Sequence, residues 1–258
     1  MRITSRSLTR HRRANRTADT VPMLVDQAII LAHIGAGSLA LLTAFLALVA
    51  AKGSRLHRLA GRSHVIVMFL VFASATWLAM EAPRPALLML GVLAFYLTLS
   101  GWRSLHLKRP PKGPFDPMRP DALDKGAVQF TSIAGGATVA MAFVNYRSDP
   151  TTSIIMGVLG VLGIVIALRD MRRFRSQHLE PNDWLLRHMT RMSAGLALAL
   201  TAIAVVNLPD QPLIVRWLVP GIAVSVVMGP WIYLVQRKLA SGAEPGEIYA
   251  VSIGEEEA

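Results

Sequence analysis

Histidines and clustered arginines are the side chains in this sequence whose types and spacing suggest chemistry, because the chain holds no cysteine. Thiolate metal sites, iron–sulfur clusters and disulfides are therefore excluded, and redox work requires a borrowed cofactor. Of seven histidines, His33, His57, His64, His106, His178 and His188 lie beyond the basic first 22 residues. His64 opens one apolar run and His188 sits one turn into another, so their depths match within roughly one helical turn. Two imidazoles at equal depth on different helices are what bis-histidine ligation of haem b requires, which makes His64 and His188 the candidate iron ligands. Arg187 and Arg191, four apart, share a helix face with His188 beside them. That face suits a haem propionate, a quinone head group or an anionic lipid, and Arg62 beside Gly61 is placed to complete the same anionic pocket. The competing reading is interfacial: histidines near a membrane boundary serve as amphipathic side chains, and arginines snorkel to phosphates. Arg187 fits that reading easily, whereas Arg191, about 12 Å into its span, fits it less well. His33 lies inside an apolar run, where polar residues are costly and mark function. It would serve a second, outer site or a proton path, with Met80, Met89, Met141, Met156, Glu81 or Asn145 as partners, although methionine is also ordinary packing material. No HExxH, CxxC or close carboxylate pair is present, so zinc and metallohydrolase chemistry have little support, and no phosphate loop is found.

The elements that must position these residues are membrane spans. The chain is 53% hydrophobic and 17% charged, and its apolar residues gather into blocks near spanning length. The fold class is all-α, a polytopic transmembrane helical bundle of about seven spans: 24–51, 63–80, 86–102, 126–146, 152–168, 182–207 and 213–236. Ala28, Ala32, Ala36, Ala40 and Ala44 form a stripe for close helix approach in the first, and Gly157, Gly160 and Gly163 a small-residue face in the fifth. Gly135 and Gly136 mark a close-packing or kink point in the fourth. Pro220 and Pro230 interrupt the seventh. The formal charge of +11 sits in short connectors, where bilayer orientation accounts for it, and nucleic acid is discounted as a partner.

Three pieces carry a resemblance: His33-x-x-x-Gly37 with Leu41-Leu42; Lys52-Gly53-x-x-x-His57-Arg58-x-x-Gly61-Arg62 with Met68; and His188-x-x-Arg191-Met192 with Thr201-Ala202. Across roughly residues 27–207 the chain resembles a family of bacterial multi-pass membrane proteins catalogued as a domain of unknown function. The resemblance implies an integral membrane helical bundle with His33, His57, Arg62 and His188 as functional positions, and it supplies no reaction. The expectation is a haem- or quinone-interacting electron-transfer protein of the cytoplasmic membrane, with His33, His57, Arg62, His64, His188, Arg187 and Arg191 as cofactor-binding residues. The alternative is a small transporter or an assembly partner of another membrane subunit, without a redox cofactor; the interrupted seventh span favours transport. Whether the protein is an enzyme is left open.

Connectors one, three and five, with the stretch after span seven, hold sixteen Lys and Arg, while connectors two, four and six hold only Arg84 and Arg147. The first set is cytoplasmic by the positive-inside rule, which puts the amino terminus outside, the carboxyl terminus in the cytoplasm and five histidines on one side. Residues 1–22, however, carry six arginines and a single acid. They read as a disordered basic leader ahead of a bundle at 23–238 and a solvated tail at 239–258. Translation starting at Met23 removes the conflict. Intact-mass measurement of the native protein is expected to return a species lacking residues 1–22; one that retains Arg2 to Arg16 would sink this start.

Overall fold

In a computed structural model of the chain, residues 5–107, 120–175 and 182–248 are described, with side chains of the first helix described from Asp26. The described residues form α1 (Ser5–Val49), α2 (Arg55–Glu81), α3 (Pro85–Arg103) with a 3-10 turn at Ser104–His106, α4 (Ala122–Asn145) and α5 (Pro150–Arg175). They continue with α6 (Asp183–Asn207), α7 (Leu213–Ala240) and the single turn α8 (Pro245–Ile248), and no strand occurs among them. Seven helices are long and apolar enough to cross a membrane, the first by its Asp26–Val49 portion. The chain is an integral membrane protein. Phe143, Ile133 and Val227 are 85%, 72% and 71% exposed, an arrangement that water would not tolerate and lipid requires. The side chains of the basic leader, the segment 108–119, His178 and the tail beyond 248 lie outside the described residues.

Two helix boundaries that matter to the site differ from the sequence expectation. Helix α2 starts at Arg55 instead of 63, because Ser54 caps it: the Ser54 hydroxyl accepts the His57 backbone N–H at 3.2 Å. Much of the basic connector is thereby helical, and His57, Gly61 and His64 fall on one face at i, i+4 and i+7. Helix α5 continues to Arg175 instead of 168, which carries Asp170 into the bundle. Helix α7 runs unbroken through Pro220 and Pro230, so the interruptions that favoured transport do not appear as breaks. Neighbouring helices and local adjustment re-satisfy the backbone groups that such prolines free in membrane helices.

Successive helices form the hairpins α1–α2, α4–α5 and α6–α7, and α3 is the central helix, touching α2, α4, α5 and α6. Met89, Leu90 and Leu93 of α3 are almost fully buried, with Leu159 of α5 against them. Glycine supplies the closest approach between α4 and α5. A Cβ on Gly135 would stand 2.7 Å from the Gly160 carbonyl oxygen, and one on Gly160 would stand 2.7 Å from the Gly135 carbonyl oxygen. Gly136 and Gly157 meet nothing within 4 Å, so the close contact is carried by Gly135 and Gly160. Of the alanine stripe in α1, Ala40 and Ala44 are buried and Ala28 and Ala32 are exposed. Gly135→Ala or Gly160→Ala is expected to destabilise the fold by about 1–3 kcal/mol through overpacking against rigid backbone. Gly136→Ala and Gly157→Ala are expected to be neutral or stabilising in the same detergent-unfolding series.

Candidate functional site

The connectors rich in Lys and Arg place the ends of α1, α3, α5 and α7 and the starts of α2, α4 and α6 at one end of the bundle. A cleft of about 170 Å³ opens there, lined by His57, Arg58, Gly61, Arg62, Trp102, Leu105, His106, His188 and Met192. Each wall follows from helical periodicity: His57 with Gly61 and Arg58 with Arg62 are i, i+4 pairs of α2, and His188 with Met192 is the same pair on α6. A Cβ added at Gly61 meets nothing within 4 Å, so this glycine keeps the cleft open.

Backbone carbonyls at helix ends orient the two inner imidazoles. His57 Nδ1 lies 2.9 Å from the Ala47 carbonyl oxygen near the end of α1, and His188 Nδ1 lies 3.0 Å from the Gly101 carbonyl oxygen near the end of α3. A carbonyl only accepts, so Nδ1 carries the proton in both rings. Such carbonyls lack intrahelical donors, and histidine side chains satisfy them. The His57 and His188 rings meet edge-on, with centroids 6.4 Å apart and planes at 78°. His106 packs its ring edge-on to Trp102 at 4.7 Å on the rim. Lys52 completes the end of α1: its Nζ donates to the Ala47 and Leu48 carbonyls at 3.1 and 2.5 Å and lies 4.8 Å from the Trp231 ring centre. Burial lowers its pKa from the ordinary lysine value.

Behind the cleft lies a buried ion centre. Asp170 of α5 is 2% exposed and receives Arg187 Nη1 at 2.5 Å, Arg191 Nη1 at 2.6 Å and Arg191 Nη2 at 2.7 Å. The Tyr96 hydroxyl of α3 also donates to it. Arg191 reaches on to the Ser100 hydroxyl at 2.6 Å. Arg187 and Arg191, proposed from sequence as holders of an exogenous anion, thus have an internal one. Two further clamps share this end: Arg173 donates to Asp183 at 2.6 Å, joining α5 to α6, and Arg103 donates to Asp124 at 2.6 Å and Asp121 at 2.8 Å, joining α3 to α4. Asp121 and Asp124 form a reciprocal capping box at the start of α4. Although partial burial opposes it, the Asp124 backbone N–H and the Arg103 guanidinium hold the Asp121 carboxyl below the ordinary value.

The remaining sequence candidates fall elsewhere. His64 does not line the cleft; it is 3% exposed on the α1–α2 seam, where its Nδ1 donates to the Ala40 carbonyl at 3.0 Å and lies 3.4 Å from the Thr43 hydroxyl. It stands about 10 Å further along α2 than His57, and the structure pairs His188 with His57. His33 lies on the same seam, donating from Nδ1 to the Ser74 hydroxyl at 2.8 Å, while Ser74 donates to the Leu70 carbonyl. Its expected soft partners Met89 and Met156 are core residues. Among the described residues no group of three His, Asp or Glu is arranged to hold a metal ion. Sequence reasoning missed Asp170, Tyr96 and Trp102. The available signal for Asp170 was a lone acid between Arg169 and Arg172, two residues past the end of the apolar run.

Comparison of the chain with protein-family models, with curated proteins and with solved structures finds no match. Asp170→Ala is expected to cost about 3–5 kcal/mol, because it strands two part-buried guanidiniums. Asp170→Glu should recover part of that loss in thermal unfolding of the detergent-solubilised protein.

Proposed function

We propose that this protein binds the head group of a membrane quinone in the cleft between α2, α3 and α6. The observation that supports the reading is the composition of the cleft wall: two carbonyl-oriented imidazoles, two guanidiniums, and the apolar surfaces of Trp102, Leu105 and Met192. A quinone head group is a flat ring with polar oxygens at its edge, and its isoprenoid tail needs lipid. Leu56 and Leu59, 50% and 63% exposed on α2 beside the cleft, offer the tail an apolar path. Size favours a head group: whole-ligand pockets run to roughly 300–1,000 Å³, above the cleft's 170 Å³. Haem b held by His64 and His188 is the weaker reading, since those residues line different seams of the bundle.

On this reading the basic end faces the cytoplasm of a bacterial cell, as the concentration of Lys and Arg there supports. The Lys52 to Arg62 motif, which carries the resemblance to the bacterial membrane-protein family, then forms one wall of the quinone site. A photoreactive short-tailed quinone added to the protein in lipid nanodiscs is expected to label peptides from α2 and the first turns of α6. At Gly61 a Cβ meets nothing within 4 Å and any side chain favours the helix, so Gly61→Leu, which projects bulk into the cleft, should reduce labelling at least about tenfold while preserving stability. Labelling that is indifferent to Gly61→Leu, or that falls on other helices, removes the proposal.

A further inference from the structure

We infer that the cleft takes the reduced, hydroxyl-bearing form of its ligand, the hydroquinone, with His57 Nε2 accepting a hydrogen bond from one hydroxyl and Arg62 facing that hydroxyl's oxygen. This rests on the cleft being a quinone head-group site, and it assigns the redox form that the site prefers. An oxidised quinone brings only acceptor oxygens, so a site built for it would aim N–H groups at both. His57 has one proton to place in its neutral form, and that proton is committed to the Ala47 carbonyl at 2.9 Å. The same carbonyl receives Lys52 at the end of α1, so the acceptor belongs to an ordered helix terminus. Nε2 of His57, on the other side of the ring, is consequently a lone-pair atom that calls for a donor. Among the described residues the cleft lining includes no carboxylate.

A hydroquinone hydroxyl supplies that donor. The hydroxyl keeps its proton and donates it in a hydrogen bond to His57 Nε2, so no covalent bond breaks and no electron leaves the ligand. Arg62 is exposed at the rim and makes no hydrogen bond or ion pair to another described residue, so its donors are available to that hydroxyl's oxygen. Arg58, by contrast, already donates to the Gly53 carbonyl.

Binding of a matched short-chain hydroquinone and quinone to the full-length protein in nanodiscs, without oxygen and at about pH 7.5, above the ordinary imidazole value, tests the inference. Hydroquinone is expected to bind about tenfold more tightly, the worth of one well-made hydrogen bond. His57→Phe should abolish the preference. Arg62→Gln, a change at an exposed side chain that leaves the fold intact, should shrink it several-fold. Equal or tighter binding of the quinone overturns the inference and leaves the head-group site standing. Failure of both forms to bind overturns the site itself. A preference untouched by either variant overturns the roles given to His57 and Arg62.

Discussion

A carboxylate taken almost wholly out of solvent within a membrane protein persists only if donors surround it, and Asp170 is surrounded from two other helices. Desolvating an ion costs several kcal/mol, and a single partner rarely returns that much. Two arginines and a tyrosine converge on its two oxygens, and the spare reach of Arg191 goes to Ser100. The arrangement joins α3, α5 and α6 at one depth and in one rotational setting. Apolar packing alone is permissive about rotation, since lipid solvates a leucine as well as a neighbouring helix does. A bidentate guanidinium–carboxylate contact is directional, and it decides which face of α6 turns inward.

The consequence appears one residue along. With Arg187 and Arg191 turned toward α5, His188 and Met192 of the adjacent stripe turn toward α2, where His57 and Gly61 meet them. Glycine sets the distance on the α3 side: a Cβ on Gly101 would come within 3.0 Å of the Arg191 Cβ, and one on Gly195 within 2.6 Å of the Thr98 hydroxyl. The cleft is therefore formed where an ion centre, a pair of glycine contacts and two helix ends coincide. Its two inner imidazoles satisfy terminal carbonyls of α1 and α3 and line the opening.

Much of the bundle was legible residue by residue. Seven apolar blocks near bilayer length have no soluble alternative, and the glycines of spans four and five announced a close contact that Gly135 and Gly160 make. Helix ends were less legible where polar residues continue a helix past its apolar part. Arg55 to Ser63 and Arg169 to Arg175 are charged and helical, because Ser54 caps the one and the Asp170 and Asp183 ion pairs hold the other. The prolines of α7 read as interruptions in sequence, whereas the helix runs unbroken through both.

Sequence by itself determined the class, the span count and the gathering of histidine and arginine at one end, since length, hydropathy and charge order are properties of the chain read in one dimension. Only the tertiary structure decided the partners. Equal distance into their apolar runs made His64 and His188 look like a pair, but α2 begins at Arg55 and places His57, about 10 Å nearer the helix start on the same face, opposite His188. The azimuth of α6 is set by a carboxylate eighteen residues before His188 on another helix. That contact engages Arg187 and Arg191 with Asp170 and turns His188 toward His57 across the cleft, while His64 lies on the seam between α1 and α2.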